Sequence, residues 1–130
     1  MSQIPSIPSF APVPEGLDPQ TWQNYQKHER QALTHDPHRP SYHLSAPSGW
    51  LNDPNGIIYW QGNYHLFYQY NPHAARWGAP YWGHIMSSDL VHWQELPTAL
   101  TPSQEPVDLD GCWSGCAIND KGVATFLYRG

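Results

Sequence analysis

The chain has little charge, almost no cysteine and no long apolar run. Only 6 of its 130 residues are Lys or Arg, against 11 Asp or Glu, for a net charge of -5. That leaves no basic surface to neutralise a phosphate backbone, which excludes nucleic acid as a partner. No stretch approaches the ~20 apolar residues that cross a bilayer, which argues against a membrane partner. The opening residues, Met1-Ser2-Gln3-Ile4-Pro5-Ser6-Ile7-Pro8, have neither the basic start nor the apolar run of a secretory leader, so a cytoplasmic protein is expected. Cys112 and Cys116 are the only cysteines. On one strand they would stand roughly 13 Å apart at ~3.3 Å rise per residue, too far to bridge, so both are expected to be reduced. The 8 His residues show no tight Cys/His ligand spacing. No metal and no cofactor are expected.

What the chain does have is aromatic surface. It carries 7 Trp and 8 Tyr within a composition only 39% hydrophobic, and its mean hydropathy is -0.63. Rings among neutral polar side chains suit a sugar, whose C–H faces stack on aromatics while its hydroxyls need Asn, Gln, Ser and carboxylate partners. The length suits one domain, able to bury roughly two thirds of its unfolded surface.

Residues 1–17 are rich in Pro and Ser without apolar periodicity and read as an extended or disordered arm. Residues 18–41 form a short helix and an approach segment. Asp18 is the expected N-cap, Pro19 the first helical residue, and Thr34-His35-Asp36-Pro37 the stop. From Gly56 onward the signals are strand and turn. Ile57 to Trp60 and Tyr64 to Tyr70 flank a Gln61-Gly62-Asn63 turn, and Tyr81 to Ser87 and Val91 to Glu95 follow. A proline-punctuated loop spans Pro97 to Asp110. Cys112 to Ile118 and Val123 to Tyr128 then flank an Asn119-Asp120-Lys121-Gly122 turn. Four short antiparallel strands in succession are what a propeller blade requires.

The most informative string is Trp50-Leu51-Asn52-Asp53-Pro54-Asn55-Gly56. Pro54 pushes Asp53 toward an extended backbone and Asn55-Gly56 supplies turn chemistry, so one carboxylate is held at a strand entrance. After it come Phe67-Tyr68-Gln69-Tyr70-Asn71-Pro72, Trp77-Gly78, Tyr81-Trp82-Gly83-His84, Ser87-Ser88-Asp89-Leu90 and Asp110-Gly111-Cys112-Trp113-Ser114-Gly115. In this order and spacing the series resembles the N-terminal part of the β-fructofuranosidase family of glycoside hydrolases, the invertases and sucrose-6-phosphate hydrolases, from about Tyr42 onward.

The resemblance implies an all-β fold: the first one and a half blades of a five-bladed propeller, as a partial domain over residues 42–130. It implies retaining hydrolysis of β-D-fructofuranosyl bonds in sucrose, sucrose 6-phosphate or a fructan. Such chemistry needs two carboxyl groups about 5 Å apart. By the same resemblance Asp53 is the nucleophile, and Trp50, Leu51, Asn52, Gln69, Trp77, Trp113 and Ser114 shape the sugar site. Trp113 departs from the family, which more often has Phe before Ser-Gly. Read without the resemblance, these aromatics are core packing, Asp89 is a turn residue, and Asp108 and Asp110 cap a loop.

The family's Arg-Asp-Pro motif and the Glu-Cys motif bearing its acid/base do not occur in the 130 residues. The expectation is therefore a fragment that holds half a site, inactive alone, and completed by a longer chain or a complementing C-terminal one. Two rival readings stand beside it. One is a carbohydrate-binding or interaction module without catalysis; the other is a related five-bladed glycosidase acting on arabinose or xylose polymers.

Overall fold

The computed structural model describes residues 19–103 and 106–130. The expected arm and the expected N-cap at Asp18 lie outside the described residues. Helix α1 (Pro19–Leu33) is followed by six strands: β1 (Trp50–Trp60), β2 (Asn63–Asn71), β3 (Tyr81–Ser87), β4 (Gln94–Leu100), β5 (Gly115–Asp120) and β6 (Val123–Tyr128). Strands β1 to β4 form one antiparallel sheet in chain order, and β5 and β6 form a separate hairpin. That is one full blade and half of the next.

Both tight hairpins are closed by two residues with positive φ. Gln61 and Gly62 lie at 50° and 84°, and Lys121 and Gly122 at 51° and 91°. Two successive left-handed residues match the right-handed twist of the flanking strands, so the chain reverses without splaying them. Asn119 accepts the Gly122 N–H at 2.7 Å and secures the second turn.

Three strand boundaries differ from expectation. Strand β1 begins at Trp50 rather than Ile57, pairing with β2 from Trp50↔Asn71 onward. It is the sheet's edge strand, where a proline without an N–H is tolerated. Strand β4 spans Gln94 to Leu100 and so includes Pro97. It too is an edge strand, and Val91 and His92 instead donate their N–H groups to the Asp89 carboxylate in a turn. Strand β5 begins at Gly115, which leaves Cys112 to Ser114 in a loop. Cys112 and Cys116 thus do not share a strand, and both are free.

Alternation along β2 creates two cores. Phe67 packs with Trp82, Cys112, Ile58, Leu100 and Phe126, which is the face that receives the β5–β6 hairpin. Tyr68, Tyr70 and Ile85 form the other cluster, with Leu44, Ala46, Leu66 and Trp93 against it. Gly83 is required there: a Cβ at this position would lie 2.2 Å from the Tyr68 ring. Helix α1 is tied to the blade by Arg30 and Glu95, 2.6 Å apart. Among the described residues, no helix is long and apolar enough to cross a membrane, and no group of three or more His, Cys, Asp or Glu could hold a metal.

Candidate active site

Strand β1 does not run evenly against β2. Leu51 pairs with Tyr70 and Pro54 with Tyr68, so three steps on β1 oppose two on β2; the same excess recurs between Asn55↔Phe67 and Ile58↔His65. Each excess is a β-bulge, a device that re-aims side chains. The first bulge puts Asn52 and Asp53 opposite Gln69. The second contains Gly56, whose φ of 50° is left-handed. A Cβ on Gly56 would meet Phe67, Trp82 and Ala117 at 3.3–3.4 Å, so the Asn-Gly pair serves a close crossing of β1 over β5 rather than a chain reversal.

The bulge delivers a directed hydrogen-bond relay. Trp50 Nε1 donates to Asn52 Oδ1 at 3.1 Å, and Asn52 Nδ2 donates to Gln69 Oε1 at 2.5 Å. Gln69 Nε2 donates to Ser114 Oγ at 2.9 Å, and Ser114 Oγ donates to Asp53 Oδ2 at 3.0 Å. Every donor points along the chain toward the carboxylate. Each amide both accepts and donates, so its orientation is fixed from both sides. Gln69 is only 2% exposed while Asp53 is exposed, which gives an accessible carboxylate on a buried, rigid support.

The relay joins residues far apart in sequence, and separate contacts hold its far end. The Trp82 indole N–H donates to both Cys112 O at 3.1 Å and Trp113 O at 3.0 Å. The Cys112 N–H bonds to Pro80 O and the Trp113 N–H to Arg129 O, each at 2.7 Å. Asn55 Oδ1 accepts the Gly115 N–H at 3.3 Å. Beside the relay, the Trp77 and Trp113 rings stand 5.8 Å apart at 49°. Trp77 is 57% exposed, on a loop held by Asn71, whose Nδ2 donates to Arg76 O at 2.9 Å. An indole this open does not fill a core.

Seven of the eight expected site residues thus converge: Trp50, Asn52, Asp53, Gln69, Trp77, Trp113 and Ser114. Leu51 does not join this group. It turns to the opposite side of β1 and packs against the Tyr68, Tyr70 and Ile85 cluster, because neighbouring strand residues face opposite ways. Asn55 and Trp82 were not singled out from sequence. A buried Asn in a motif that reads as a turn, and a Trp among many, give no local signal of their role.

Two further carboxylates, Asp89 and Asp108, are engaged in local structure. The His92 ring and the backbone N–H groups of His92 and Val91 hold Asp89 far below the usual carboxylate range. The Ser103 hydroxyl, with the Ser103 N–H and the Tyr128 hydroxyl, lowers Asp108, which is 5% exposed and fastens the loop before β5. Burial, with Asp108 nearby, pushes the Cys112 thiol up to about 11, so it is no nucleophile at neutral pH.

Residues 43–130 match the Glycosyl hydrolases family 32 N-terminal domain. The chain is 54% identical over 91 residues to the sucrose-6-phosphate hydrolase of Zymomonas mobilis, covering 70% of this chain and 18% of that protein. The sucrose-6-phosphate hydrolase structure from Lactobacillus gasseri superposes with a TM-score of 0.71 at 37% identity, over 88% of this chain and 22% of that one. A variant of fructan 1-exohydrolase IIa from Cichorium intybus, solved with 1-kestose, gives a TM-score of 0.67 at 48% identity, over 73% of this chain and 18% of that one. The chain belongs to glycoside hydrolase family 32, and its blades are those of the family's five-bladed β-propeller. It spans about a fifth of the length of the curated relatives it matches.

Proposed function

We propose that residues 50–114 supply the nucleophile and the fructosyl-binding wall of a retaining β-fructofuranosidase acting on sucrose or sucrose 6-phosphate. The observation that carries this reading is the relay ending on Asp53, which couples an exposed carboxylate to two amides and a hydroxyl that suit sugar hydroxyls. Asp53 attacks the anomeric carbon of the fructosyl unit and forms a covalent intermediate that water releases. Asn52 and Gln69 orient the ring through its hydroxyls, and Trp77 with Trp113 forms an apolar wall for its C–H face. Protonation of the leaving group needs a second carboxylic acid. In the family a Glu-Cys motif provides it, and that motif is not among these 130 residues. Hydrolysis is accordingly a property of the whole protein, and a sugar is the partner this half of the site suits. Two free cysteines fit a reducing, cytoplasmic compartment.

The test completes the chain. All 130 residues are fused to the part of the Zymomonas mobilis relative that follows its matched segment, and fructose release from sucrose and sucrose 6-phosphate is assayed. The fusion is expected to turn over, and its Asp53→Asn variant to fall by several orders of magnitude while folding is unaffected. A folded fusion that releases no fructose, or an Asp53→Asn variant with ordinary turnover, overturns the reading and leaves a binding module.

A further inference from the structure

We propose that Trp82 is a positioning residue for the nucleophile: its indole N–H clamps the 112–114 loop so that Ser114 is held against Asp53. The proposal rests on the functional reading of Asp53 given above. Trp82 is 0% exposed, so it cannot meet a bound sugar and its influence must pass through another group.

Three observations carry it. The indole N–H is shared between two successive carbonyls, those of Cys112 and Trp113, the two residues directly ahead of Ser114. Gln69 and Trp82 are direct cross-strand partners, so their side chains lie together on one face of the sheet. From that face Gln69 grips the Ser114 hydroxyl while Trp82 grips the backbone behind it, and the hydroxyl is left with its proton directed at Asp53. Finally, ring packing alone does not call for the N–H. Trp82 already meets Phe67 at 5.8 Å, Phe126 at 6.2 Å and Tyr128 at 5.9 Å through its aromatic faces and edges.

A ring without the N–H would fill the same space but leave the buried Cys112 carbonyl and the part-buried Trp113 carbonyl without this donor. Ser114 would then sample positions in which it no longer meets Asp53. The carboxylate would lose its fixed direction rather than its presence. The loss belongs to kcat more than to KM, because the sugar's own contacts at Asn52, Gln69 and Trp77 are untouched.

The experiment replaces Trp82 by benzothienylalanine, an isostere with sulfur in place of the N–H, in the fused protein above; Trp82→Phe is a second variant. Three quantities are read: kcat and KM for sucrose, amide exchange at residues 112–114, and the melting temperature. The isostere is expected to lower kcat about tenfold with KM within about threefold, and to raise loop exchange about tenfold, the size of one buried hydrogen bond. In a Ser114→Ala background the same replacement should change kcat by less than about twofold, because a residue acting through Ser114 has nothing left to act on. Unchanged kcat, unchanged loop exchange, or an undiminished effect without Ser114 would each return Trp82 to the core as packing. Asp53→Asn in the same protein separates the two levels: if it keeps turnover the functional reading falls, whereas an inert Asp53→Asn beside a fully active isostere removes only the Trp82 proposal.

Discussion

Lowering the pH from 7 to 4 is expected to destabilise the junction between the first blade and the β5–β6 hairpin, through one histidine. His84 Nε2 lies 3.0 Å from His65 Nδ1, and the His84 ring stacks on Phe67 at 4.2 Å. Burial first, and then the neighbouring His65, lower its pKa from 6.5 to about 4. The unfolded chain therefore takes up a proton near pH 6.5 that the folded chain refuses until about pH 4. Between those values the unfolded state binds more protons, and stability falls as pH falls. At ~1.4 kcal/mol per pKa unit the full effect is ~3 kcal/mol, and solvent access to the half-buried ring trims it to about 2 kcal/mol. The assay follows the urea midpoint by tryptophan fluorescence from pH 7 to 4 in the fused protein and in its His84→Gln variant, with the ring titration read by NMR. Other groups titrate in the same range, so the informative quantity is the difference between the two pH profiles. A ring signal that titrates near pH 6.5, or identical profiles for the two proteins, would refute the burial argument.

Trp77→Ala should lower kcat/KM by about 1–3 kcal/mol in transition-state terms with little change in melting temperature, since the indole is mostly exposed; a large thermal loss with unchanged kcat/KM would make it core. Gly83→Ala forces a methyl into the Tyr68 ring and should cost about 1–3 kcal/mol of stability, and an unaffected urea midpoint would contradict that packing. Gln69→Leu cuts the relay at its buried centre and should lower kcat at least about tenfold through unpaired Asn52 and Ser114. Steady-state kinetics with sucrose that match the parent would mean the relay is ornamental.

Much of this molecule was legible because its signals are local. The hairpin turns at Gln61-Gly62 and Lys121-Gly122 and the helix stop before Thr34 all follow from residues within a few positions of one another. Two of the three misread boundaries have a physical cause in common. The Pro54 string was placed ahead of a strand and Pro97 at the start of a loop, yet both prolines sit within edge strands, β1 and β4, where a missing N–H breaks no ladder. Which strand lies at an edge is a tertiary fact that a local pattern does not carry. Leu51 stands apart from the other motif residues for a related reason: a motif groups a string of neighbours, whereas the pleat turns Leu51 to the opposite face of β1. Asn55 and Trp82 were invisible because their partners lie 60 and 30–31 positions away.

The order of the motifs reflects one geometric requirement. Asp53 and Asn52 come from β1, Gln69 from β2, and Ser114 from the loop that enters the next blade, so the relay closes only when that hairpin docks on the first sheet. Docking depends on the face shared by Phe67, Trp82 and Phe126, and on Gly56, whose missing side chain lets β1 and β5 cross. The groups that orient Asp53 and the groups that seal the blades are therefore adjacent layers of one structure. Trp82 belongs to both, with its ring in the seal and its N–H on the loop. A mutation in the seal that preserves volume can consequently damage the site while keeping the ring packing, and a mutation of Ser114 can spare the seal entirely. That asymmetry follows from the path of the chain: the sheet can fold without the relay, but the relay has no geometry without the sheet.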